Sequence, residues 1–119
     1  MATTRTPEEV FSHHGSTLGA GDLEGILDDY RDDAILIVQS QLYRGKDGAR
    51  QVFTQLLADV PEAEWDLSTV FADDVLYLEW SAVAAGVGRR VDDGIDTFIF
   101  QDGQIRVQTV RYTVHSIQQ

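Results

Sequence analysis

The sequence predicts an α+β domain, with helices gathered in its first half and strands in its second. Three observations predict it. Apolar residues recur at spacings of three and four in three stretches before Pro61. Runs rich in β-branched and aromatic residues dominate after it. Asp102-Gly103 falls between two such runs, a strong hairpin signal. The expected order is two helices, a strand, a helix, then an antiparallel meander.

Thr6-Pro7-Glu8-Glu9 reads as a helix start: Thr6 is the N-cap, Pro7 takes the first helical position and Glu9 completes a capping box. Val10, Phe11, His14 and Leu18 form the stripe of this helix, so His14 faces the interior and His13 points elsewhere. Gly19-Ala20-Gly21 stops it. Asp22 caps a second helix with Leu23, Ile26, Leu27 and Tyr30 on one face. Asp32-Asp33 reads as a polar break before a strand over Ala34 to Val38, and Gln41 to Arg44 as its small hairpin partner. Gly45 opens a third helix, with Ala49, Val52, Phe53, Leu56 and Leu57 inward, and Pro61 forbids much extension. Strands are expected over Val75 to Ala84, Val91 to Phe100 and Ile105 to Ser116, with a weaker one over Trp65 to Phe71. Gly86-Val87-Gly88 and Asp102-Gly103 supply the turns.

Side chains alternate along a strand, so Asp96, Phe98 and Phe100 share one face and Ile95, Thr97 and Ile99 the other. On the final strand Gln108, Val110, Tyr112 and Val114 oppose Val107, Thr109, Arg111, Thr113 and His115. Both faces carry apolar groups. One packs on the helices; the other, if left uncovered, is a dimer surface.

At 119 residues the chain fits one domain with its own core. Nine basic residues stand against 20 acidic ones, a formal charge of −11, which disfavours nucleic acid and anionic membranes as partners. There is no cysteine, hence no disulfide and no thiol nucleophile. The N-terminal residues lack the apolar stretch of a signal peptide and no run is long enough to span a membrane, so the expected location is the cytoplasm.

Most cofactor and nucleophile chemistry finds no motif. No histidine pair has the i, i+4 spacing of a metal site, so no metal is expected. Ser12, Ser16 and Ser81 lack a nucleophile-elbow context. Gly86-Val87-Gly88 lies in a hairpin rather than between strand and helix, so no nucleotide cofactor is implied. The pairs Asp28-Asp29, Asp32-Asp33, Asp73-Asp74 and Asp92-Asp93 read as solvated turns and helix ends.

Four stretches together resemble the nuclear transport factor 2-like superfamily, in its SnoaL-like and ketosteroid isomerase-like branch. They are Gly21 to Ala34, Tyr43 to Arg50, Gly94 to Phe100, and Asp102 to Ile105. The resemblance implies a cone-shaped, cystatin-like roll: a curved antiparallel sheet wrapped over three N-terminal helices, with an open mouth and an apolar cavity. It also implies a homodimer through the outer sheet face. Asp96 falls where ketosteroid isomerases place a carboxylic acid held neutral to donate a hydrogen bond to an oxyanion. His14 falls where they have the tyrosine of that oxyanion hole. Tyr30 and Phe53 match supporting aromatics, and Tyr112 an aromatic of the pocket wall. Val38 stands in place of the general-base aspartate, and Val110 where limonene epoxide hydrolases have an acidic residue. Neither of those two chemistries is therefore expected.

What remains is a candidate pair. Asp96 and His14 both face the interior, where a carboxylate needs a partner or must be neutral. An imidazole bonded to Asp96 would turn its other nitrogen toward a ligand as general acid or base. The plainer alternative is a buried bond that only orients the first helix. The ligand-binding set is Tyr30, Val38, Phe53, Trp80, Phe98, Gln108, Val110 and Tyr112, around a small apolar molecule. If catalytic, the reaction is a cofactor-independent isomerisation, cyclisation or dehydration. If not, the pocket captures a ligand, or the outer face binds a partner.

Overall fold

A computed structural model describes residues 4–117. Its elements in chain order are α1 (Pro7–Gly19), α2 (Leu23–Leu27), β1 (Tyr30–Val38), β2 (Gln41–Arg44), α3 (Gly45–Asp59), β3 (Glu64–Ala72), β4 (Val75–Ala84), β5 (Arg89–Gln101), β6 (Gln104–Arg111) and β7 (His115–Ser116). The strands form one curved sheet in the order β2-β1-β6-β5-β4-β3, with β7 added to β5. All pairings are antiparallel except β1–β6, which is parallel. The architecture is the α+β roll expected from the sequence, with that one mixed pairing as a refinement.

Local chemistry accounts for the starts and stops. Thr6 Oγ1 accepts the Glu9 N–H at 3.1 Å and Glu9 Oε1 accepts the Thr6 N–H at 2.8 Å, so the capping box is formed. Asp22 Oδ1 caps α2 by accepting the Gly25 N–H. The Asp102-Gly103 turn has both residues at positive φ, 54° and 75°, as a tight hairpin of this hand requires.

Three boundaries depart from expectation. Tyr30 is the first residue of β1, not the end of α2, because Ile105 N–H takes the Asp29 carbonyl at 2.7 Å and draws the chain into the sheet. Asp32 and Asp33 lie inside β1 rather than before it. The register runs from Tyr30↔Ile105 to Ile35↔Val107, five residues on β1 against two on β6, and the surplus bulges into solvent. The final strand breaks at Tyr112. Asp93 accepts both the Thr113 N–H (2.9 Å) and its hydroxyl (2.8 Å), turning the chain so that His115 and Ser116 pair with Arg90 and Arg89.

The core lies between the concave sheet face and the helices. Val10, Ile26, Tyr30, Leu36, Phe53, Leu76, Phe98 and Ile105 are buried there. Asp29 is buried too, against the reading of its pair as solvated. It accepts bonds from Arg5 Nη1 (2.9 Å) and His13 Nδ1 (2.8 Å), while Arg5 Nη2 reaches the Gly103 carbonyl (2.8 Å). This clasp ties the start of α1 to the β5–β6 turn.

Candidate functional site

One cavity opens between α1, α3 and the concave face of the sheet. From α1 come Phe11, His14 and Leu18; from α3 Val52, Phe53 and Leu56. Trp65 and Leu67 of β3 form its rim, and Leu78, Trp80, Asp96, Gln108, Val110 and Tyr112 its floor. The wall is apolar except for His14, Asp96 and Gln108. Its volume is ≈ 40 Å³, room for about three water molecules. A larger ligand enters only if rim side chains yield. Phe11, Leu18, Trp65 and Leu67 are the partly exposed ones.

The floor is organised by one hydrogen-bonded chain. Tyr30 O–H donates to Gln108 Oε1. Gln108 Nε2 then donates to Asp96 Oδ2 at 2.9 Å, and Trp80 Nε1 donates to Asp96 Oδ1 at 2.9 Å. The indole N–H can only donate, and Gln108 is oriented with its carbonyl toward Tyr30 and its amide toward Asp96. Asp96 therefore meets two donors and no acceptor, the arrangement that suits an ionised carboxylate. This differs from the resemblance, which implies a neutral acid donating at this position.

Register explains why these groups meet. Asp96 pairs with Val110 on β6 and with Leu78 on β4, placing Gln108 and Trp80 one inward step away. Trp80 pairs with Gly94. A β-carbon at residue 94 would fall on the indole, 2.6 Å from Nε1. Glycine there lets the ring lie flat and reach Asp96. Gly94→Ala is expected to displace the indole, break its bond to Asp96 and destabilise the fold by about 1–3 kcal/mol. Thermal unfolding and the tryptophan emission maximum check this.

Burial sets the acid–base behaviour. It pushes the Asp96 carboxyl up to about 6, the bonds from Trp80 and Gln108 holding it from rising further. Burial pushes the His14 imidazolium down to about 4; nearby His13 adds to this and Asp29 opposes it. His14 is thus neutral at physiological pH. Phe11, Tyr30, Phe53 and Phe98 surround it, the nearest ring centroid being that of Phe53 at 5.3 Å. Its Nδ1 is buried with no hydrogen-bond partner. Nε2 is then the nitrogen left to meet a ligand.

The expected His14–Asp96 bond is absent: Trp80 and Gln108 occupy Asp96, and His14 Nδ1 is left without a partner. Both residues line the same cavity all the same. Phe53, Trp80, Gln108, Val110 and Tyr112 also line it. Val38 does not. It ends β1 and lines a separate cleft with Gln39 and Tyr43. Tyr30 and Phe98 are fully buried behind the wall, Tyr30 supporting Gln108 and Phe98 packing on His14. Sequence reasoning missed Trp65 and Leu67 as rim residues, although their i, i+2 spacing on a strand signals one face. In the sequence Phe11, Leu18 and Leu56 are legible only as helix stripe. Among the described residues no group of three His, Asp or Glu side chains is placed to hold a metal ion.

The SnoaL-like domain family matches residues 12–108. The chain belongs to that family. A search of curated proteins returns no match. Among solved structures, this SnoaL-like domain is similar to an NTF-2 like protein of unknown function from Burkholderia xenovorans LB400, at 17% identity over 90% of this chain and 82% of that one, with a TM-score of 0.72. It is similar to IdmH of Streptomyces antibioticus, a proposed polyketide cyclase, at 17% identity over 91% and 92% with a TM-score of 0.73. A proposed ketosteroid isomerase from Kribbella flavida DSM 17836 aligns at 12% identity over 99% and 86%, TM-score 0.74. At such identities the likeness speaks for the fold, and the chemistry rests on the residues of this SnoaL-like domain. No helix among the described residues is long and apolar enough to cross a membrane.

Proposed function

We propose that this domain takes a small apolar carbonyl compound into the cavity and moves a proton on it without a cofactor, with Asp96 as the base. The observation that carries this reading is the carboxylate of Asp96, buried in an apolar wall and held by two neutral donors. A base is most useful when its pKa lies near the working pH, and burial raises that of Asp96 toward it. Neutral His14 presents Nε2 to the carbonyl oxygen as a donor, stabilising the enolate that forms when a proton leaves the adjacent carbon. The proton then returns from Asp96 to another carbon, giving an isomer, or to a departing oxygen, giving a dehydrated product.

The test is deuterium uptake from heavy water by a panel of β-diketones and α,β-unsaturated ketones, followed by proton NMR. Wild-type protein is expected to accelerate exchange at the acidic carbon. Asp96→Asn is expected to lose about 10²–10⁴-fold of that rate. No acceleration with any member, or an unchanged rate in the variant, removes Asp96 as base and leaves ligand capture as the function of the cavity.

A second reading concerns the outer sheet face. Register places Val70, Tyr77, Thr97, Thr109, Ile37 and Leu42 in one row across six strands. Val70, Tyr77, Ile37 and Leu42 are exposed, as is Ile95 beside them. Exposed apolar groups at both ends of this row, with two threonines between them, favour a homodimer through this face. Sedimentation velocity is expected to show a dimer, and Tyr77→Arg with Ile37→Lys a folded monomer. Wild-type protein sedimenting as a 13.3 kDa species would end this reading.

A further inference from the structure

We propose that the cleft between the β1–β2 hairpin and α3 is a second ligand site, built for a neutral polyhydroxylated group such as a sugar ring. The cleft has a volume of ≈ 410 Å³, about ten times that of the apolar cavity. Four glutamines line it: Gln39, Gln41, Gln51 and Gln55. Their hydrogen bonds decide what each offers. Gln39 Oε1 accepts the Tyr112 N–H (3.3 Å) and Gln41 Oε1 accepts the Tyr43 hydroxyl (2.9 Å), so both present amide N–H groups. Gln55 Nε2 donates to Asp59 Oδ1 (2.7 Å), which leaves its carbonyl oxygen. Gln51, exposed on α3, adds both kinds of group.

Amide donors and acceptors thus share the cleft with Tyr43, which is partly exposed, and with the buried Tyr112. A hydroxyl both donates and accepts, and the C–H face of a sugar ring packs on an aromatic, so a polyol matches this wall. An anion does not. No Lys or Arg lines the cleft, and its one charged side chain is Asp59. The backbone supplies an independent observation. Gln39 and Ser40 make the β1–β2 turn at φ 50° and 76°, left-handed values at two residues neither of which is glycine. Such turns ordinarily use Asn-Gly, and strain of this kind gathers at ligand clamps. Here it aims Gln39 into the cleft.

Tyr112 and Val52 line both the cleft and the apolar cavity. The sugar is therefore either free or attached to an apolar group seated beyond Tyr112, and the probes distinguish the two. Side-chain amide resonances of 15N-labelled protein are followed on adding methyl hexopyranosides (gluco, galacto and manno), the matching 4-nitrophenyl hexopyranosides, and sodium sulphate. The hexopyranosides are expected to shift the amide signals of residues 39, 41 and 51 to saturation, and sulphate to leave them in place. Gln41→Ala with Gln51→Ala, both exposed, is expected to weaken binding about tenfold, equivalent to about 1.4 kcal/mol. Tighter binding of the 4-nitrophenyl glycosides with quenching of Trp65 and Trp80 identifies an attached apolar group; equal binding identifies the free sugar. Unmoved amide signals with every glycoside, competition by sulphate, or an unaffected double variant overturns the proposal. The readout sits in the cleft, so failure of the Asp96 chemistry leaves it intact.

Discussion

Asp96→Asn is expected to stabilise the folded chain at neutral pH while removing its proton chemistry. Folding raises the carboxyl from 3.8 to about 6. The folded chain therefore binds this proton more tightly than the unfolded chain. The group favours folding fully below about 3.8, and that advantage is lost as pH rises through about 6. A displacement of roughly two units corresponds to about 3 kcal/mol, which the ionised group costs above that window. Asparagine carries no charge, so the cost disappears. Its amide nitrogen must face either the Trp80 N–H or the Gln108 amide, and the lost bond takes back about 1 kcal/mol. The net gain at pH 8 is about 1–2 kcal/mol, falling to nothing or reversing below pH 4. Urea unfolding of both proteins at the two pH values checks the sign and its reversal. A gain of this size would show that the Asp96 carboxylate does not serve the stability of the fold.

Gln108→Leu is expected to have the opposite effect. Gln108 is buried and joins Tyr30 to Asp96. Leucine fills similar space but leaves the Tyr30 hydroxyl without its acceptor and Asp96 with one donor. Two buried bonds go, one of them to a charged group, for a loss of about 2–4 kcal/mol. The bond from Gln108 is one of the influences holding the Asp96 carboxyl down. Its loss moves that carboxyl above 6, so the rise of activity with pH shifts to higher values. Chemical denaturation reads the first effect and the pH profile of exchange the second. A variant as stable as wild type would show that the chain of bonds contributes nothing.

How far these features are legible in the sequence depends on whether their cause is local. The α1 capping box, the Asp102-Gly103 turn and the inward faces of β5 and β6 follow from residues a few positions apart, and all are present. The parallel β1–β6 pairing joins residues about seventy positions apart, and nothing in either strand encodes the partner. The same limit explains the site. Alternation showed that His14 and Asp96 face inward, but not which inward groups meet; Trp80 and Gln108 were nearer on the sheet. Asp29 looked like a surface acid because the Arg5 and His13 that bury it belong to another segment. By resemblance Val38 falls where ketosteroid isomerases carry their base, yet the end of β1 turns it toward the glutamine-lined cleft.

The carboxyl carbon of Asp96, labelled with carbon-13 and titrated by NMR, tests whether this group is the buried base. A midpoint near 6 in the wild-type protein, rising in Gln108→Leu, is the predicted result. A midpoint at or below 3.8 would mean a solvated or ion-paired carboxylate, and the proton-transfer site would have to be abandoned.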